Sequence, residues 1–145
     1  MVVLANVNPD GRILAENVFV SDFGVRHWFP KYMQTGQATR IPGTRPYVAP
    51  EIWKYGADLL TAASDIWAVG CMGYEFFTGR LLFESEEAVD SYVQSSNLDA
   101  TATTFLQSNP DVFHILSGCL AIDPRQRWSV WQLLDQIGRL RQQYQ

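Results

Sequence analysis

Residues 64–78 read Ser-Asp-Ile-Trp-Ala-Val-Gly-Cys-Met-Gly-Tyr-Glu-Phe-Phe-Thr, and the fold turns on how they are taken. Apolar side chains occupy nearly every helical phase instead of one stripe. That pattern predicts a helix over Ser64–Thr78 buried among others. Gly79 follows at once and supplies its stop. The run is too short and too interrupted to cross a bilayer, which takes ~18 consecutive apolar residues.

Downstream of this helix the chain keeps a helical period. Ser85 is placed to cap a helix, with Glu86 and Glu87 in its first turn, where carboxylates suit the dipole. Ala88, Val89, Tyr92 and Val93 form the inner stripe. Asn109-Pro110 opens another helix, with Val112, Phe113, Leu116, Cys119 and Leu120 facing inward. Ser129-Val130-Trp131-Gln132 is a capping-box pattern, and Leu133, Leu134, Ile137, Leu140 and Tyr144 continue the stripe.

Upstream the pattern changes. Ala49-Pro50-Glu51 opens a short helix, with Pro50 tolerated in its first turn. Between Gly24 and Pro50 the chain is polar and broken by Pro30, Gly36, Pro42, Gly43 and Pro46, and a loop of that length is usually functional or disordered. Val2–Leu4 and Val18–Val20 read as two short strands around the turn signal Asn8-Pro9-Asp10-Gly11. The expected class is therefore mainly α, with a short N-terminal β-hairpin.

Composition narrows the function. The 145 residues fit one domain, and 47% apolar residues suffice for a core. A net charge of −4 argues against a general nucleic-acid or anionic-membrane binder, which would need a basic face. Cys71 and Cys119 lie far apart in apolar helical patterns and read as small buried hydrophobes. Without a disulfide framework or a signal-like N-terminus, an intracellular, cytoplasmic home is expected.

Four short signatures then occur in order. Asp22-Phe23-Gly24 ends the second strand. Gly43-Thr44-x-x-Tyr47-x-Ala49-Pro50-Glu51 follows. Asp65-x-Trp67-x-x-Gly70 heads the central helix, and Asp123-Pro124-x-x-Arg127 precedes the last. The tripeptide alone is common. Together, the four resemble the C-terminal lobe of a eukaryotic protein kinase. Gly-Thr and a Tyr ahead of Ala-Pro-Glu resemble the serine/threonine branch.

The resemblance implies a role for each position. Asp22 would hold Mg²⁺ bridging the phosphates of ATP, Phe23 would join the hydrophobic spine between lobes, and Gly24 would let the chain turn. Residues 1–21 would be a hairpin, 22–51 the activation segment and 52–145 the helical lobe. Thr44 would line the cleft near the acceptor hydroxyl. Glu51 would pair with Arg127, and Asp65 would accept hydrogen bonds from the catalytic-loop backbone. Plainer accounts exist: Asp22 as a turn-capping acid, Thr39 and Thr44 as ordinary loop threonines instead of phosphosites. Arg40 and Arg45 read as solvated loop cations, and His27 and His114 as ordinary histidines.

Other family parts do not match. Only 21 residues precede Asp22, and they contain no lysine and no glycine-rich loop; the lysines are Lys31 and Lys54. If Asn6 were the metal-holding Asn, the catalytic Asp would fall on Met1; if Val2-Val3-Leu4 is the strand after that Asn, the chain begins too late for either. The expectation is a kinase-domain fragment, inactive by itself, whose parent phosphorylates protein Ser/Thr. The alternative is a non-catalytic, pseudokinase-like module that docks a protein substrate or regulatory protein. Without the helices that normally precede the catalytic loop, part of the central helix would face water or some other surface, and Asp65 would become an unpaired buried acid.

Overall fold

The computed structural model describes residues 2–7, 13–21, 44–56 and 59–143. The chain divides into two units, Met1–Gly43 and Thr44–Gln145. In the first, β1 (Val2–Val7) pairs antiparallel with β2 (Ile13–Ser21), setting Val2 opposite Ser21 and Leu4 opposite Phe19. Both strands run beyond their Val-rich kernels, because ladder hydrogen bonds come from the backbone and carry Ala5, Asn6, Glu16 and Asn17 along. The register shifts between Ala5 and Val7. The turn signal at Asn8–Gly11 lies outside the described residues.

The second unit is helical. A single 3-10 turn at Arg45–Tyr47 leads into α1 (Pro50–Tyr55), α2 (Ala62–Thr78), α3 (Glu86–Ser95), α4 (Ala100–Ser108), α5 (Pro110–Cys119) and α6 (Val130–Gln143). The long helix α2 lies at the centre. It begins two residues earlier than Ser64, because Ser64 serves the third helical position: its Oγ accepts from the Thr61 N–H at 3.2 Å. Gly79 ends it in the left-handed region, at φ 68°, with its N–H on the Glu75 carbonyl.

One side of α2 is core. Trp67 is wholly buried and stacks on Phe83 at 5.5 Å; Cys71 and Tyr74 share that side. Tyr74 meets Phe105 of α4 edge-on, and Tyr92 of α3 donates its hydroxyl to the Leu120 carbonyl at 3.1 Å. A second side approaches α5 so closely that a Cβ on Gly70 would stand 2.8 Å from Cys119 Cβ. The third side is open: the apolar pattern's expectation of burial holds on two sides only, and part of the helix faces out, as expected without the helices that normally precede the catalytic loop. Asp65 and Phe76, eleven residues and just over three full turns apart, both face out, and Phe76 is 77% exposed.

The remaining helices differ from the sequence reading in coverage. Ser85 caps α3 by accepting from the Ala88 N–H, and Val89 is its buried anchor. α4 has no counterpart among the expected elements; Asp99 caps it through the Ala102 N–H at 2.8 Å, and Ala102 and Leu106 hold it to the core. In α5, Leu116 and Cys119 are buried as expected but Phe113 is exposed. The box at the head of α6 forms in both directions between Ser129 and Gln132. Of its stripe, only Leu133 is buried; Leu134 and Ile137 are exposed, and Tyr144 is outside the described residues. An open apolar groove of about 650 Å³ runs between α2, α5 and α6, with Val69, Phe77, Leu116, Leu133 and Leu140 among its walls.

Candidate functional site

The densest polar constellation in the helical unit lies where the start of α1 meets the loop before α6. Pro50 fixes the first turn of α1 and presents Glu51 inward, 7% exposed. From the other side comes Arg127, 5% exposed. Its Nη1 donates to Glu51 Oε1 and its Nη2 to Oε2, each at 2.8 Å, the fork-to-fork geometry suited to guanidinium and carboxylate. Nη1 also donates to the Ala63 carbonyl at 2.8 Å, Nε to Ala121 at 2.9 Å and Nη2 to Ile122 at 3.3 Å. A guanidinium has five N–H donors, so each has an acceptor. The same group lies 5.2 Å from the Trp67 ring centroid, a cation–π contact.

This arrangement binds three segments at one point: α1, the start of α2 through Ala63 and Trp67, and the 121–127 loop. Ser64 adds a link by donating its hydroxyl to Glu51 Oε1 at 3.4 Å. Chemically the junction is closed. A carboxylate saturated by an arginine and shielded from water holds shape and is no base or metal ligand.

A second polar contact lies on the approach to it. The Tyr47 hydroxyl donates to Glu75 Oε2 at 2.5 Å, tying the turn at Arg45–Tyr47 to the last third of α2. That hydrogen bond first, then burial and the charge of Glu75, push the Tyr47 phenol up to about 12. Thr44, exposed, closes the turn through its carbonyl, which accepts from the Tyr47 N–H at 3.0 Å. Sequence reasoning missed the Tyr47–Glu75 bond. Its signal was Glu75 itself, the lone charge between Ile66 and Gly79.

Asp65 is exposed near the start of α2, so the cost expected for an unpaired buried acid does not arise. Asp22, Phe23 and Gly24 lie outside the described residues, as do His27, Thr39 and Arg40. His114 is exposed, within 3.0 Å of Gln136 Oε1 and edge-on to Trp128. Burial pushes the thiols of Cys71 and Cys119 up, the latter to about 11, against the opposing charge of Arg127; neither is a nucleophile at neutral pH. Among the described residues no group of three or more His, Cys, Asp or Glu side chains could hold a metal ion, and no helix is long and apolar enough to cross a membrane.

A family model described as "Protein kinase domain" matches residues 10–137. Among curated proteins, the chain is 34% identical over 138 residues to serine/threonine-protein kinase PKH3 of Eremothecium gossypii, covering 91% of this chain and 18% of that one. It is 30% identical over 128 residues to CBL-interacting serine/threonine-protein kinase 5 of Arabidopsis thaliana, covering 86% and 28%. It thus spans well under a third of either relative. Among solved structures, that of Rad53 1-466 in complex with AMP-PNP superposes with a TM-score of 0.58 at 20% identity, over 83% of this chain and 28% of that one. That likeness concerns the fold.

Proposed function

Because the chain belongs to the protein kinase domain family, we propose that it is the helical portion of a serine/threonine kinase domain whose parent transfers the γ-phosphoryl group of ATP to protein Ser or Thr. The observation that supports this most directly is the Glu51–Arg127 junction. It fastens Glu51, the last residue of the proposed activation segment 22–51, onto the proposed helical lobe, residues 52–145; residues 1–21 form the hairpin of this reading. Thr44 then stands seven residues ahead of that anchor, with Tyr47 and Glu75 fixing the turn between them.

In this reading Asp22 holds Mg²⁺, which with ATP supplies the phosphoryl group and its charge neutralisation when bound. Phe23 joins the hydrophobic spine between lobes, Gly24 lets the chain turn, Thr44 lines the peptide cleft, and Asp65 offers an outward carboxylate to backbone donors of a catalytic loop. The partner is a protein substrate. Residues 1–145 alone lack the phosphate-contacting lysine and the acceptor-orienting aspartate, and such groups commonly contribute 10²–10⁴-fold each. The isolated chain is therefore inactive.

The test joins residues 1–145 to the segment of a related kinase that carries the glycine-rich loop, the lysine and the His-Arg-Asp loop. Label from γ-labelled ATP is expected on Ser or Thr of a basic protein, and Asp22→Asn abolishes it. The isolated chain is the blank. A chimaera that folds and binds AMP-PNP yet transfers nothing overturns the proposal in favour of a non-catalytic module, and transfer by the isolated chain overturns its inactivity.

A further inference from the structure

We draw no further inference here: the strongest candidate, the open apolar groove between α2, α5 and α6, is an unpartnered face, and nothing in the structure shows what covers it.

Discussion

Arg127 shows how much one side chain can be asked to hold. Removing it strands a buried carboxylate and takes a donor from three backbone carbonyls, those of Ala63, Ala121 and Ile122. Arg127→Ala is expected to cost about 3–5 kcal/mol in urea unfolding, the range for breaking a buried pair from one side. Replacing both partners by apolar residues, often neutral elsewhere, is not expected to recover this, because the three carbonyls still lose their donor. Tyr47 makes a smaller claim. Its phenol is partly exposed, so Tyr47→Phe should cost about 1 kcal/mol. Its folded pKa lies above the unfolded value of 10, so the unfolded state releases its proton first as pH rises. The contribution is complete below pH 10 and lost as pH climbs through about 12. Alkaline unfolding of wild type and Tyr47→Phe should converge across that window; curves that stay parallel would remove the Glu75 bond from the account. The Glu51–Arg127 partnership could be read at this scale from a recognised signature. The Tyr47–Glu75 bond could not, because nothing in spacing says which phenol a lone helical acid will meet.

At the level of elements, helices are placed by close approach more than by propensity. A Cβ added at Gly118 would stand 2.1 Å from the Trp128 ring, so α5 and the loop before α6 meet only because nothing is there. Gly118→Ala must displace that ring, and with it the backbone bond from the Trp128 N–H to the Gly118 carbonyl. A loss of about 1–3 kcal/mol, the usual cost of overpacking, is expected in thermal unfolding. Ala at Gly138, where nothing lies within 4 Å, is the control that should hold or gain stability. The elements that were legible had punctuation: Gly79 after α2, Ser85 before α3, the Ser129–Gln132 box. α4 was not legible because Ala-Thr-Ala-Thr-Thr-Phe-Leu-Gln-Ser is rich in β-branched threonine with low helix propensity. Its helix rests on the Asp99 cap and on burial of Ala102 and Leu106, which only the assembled core supplies.

Across the whole molecule, periodicity identified which residues are apolar and not which are covered. Phe76, Phe113, Leu134 and Ile137 all fit inner stripes or a buried rod, yet all are exposed. Coverage depends on what packs against a helix, and that is not written in the helix's own spacing. Phe76 and Trp131, each 77% exposed, contribute little to the core. Phe76→Ser with Trp131→Gln should leave the unfolding free energy within about 0.5 kcal/mol per site while lowering dye binding by exposed apolar surface. Unchanged dye binding would mean these two side chains are not where the surface is greasy.

The junction also sets an order of events during synthesis. Its two charges stand 76 positions apart, so an acid made early must wait in water until an arginine made much later leaves the ribosome. Domains complete as units, and here the waiting partner makes release of the 121–127 loop the moment at which the helical unit can first close.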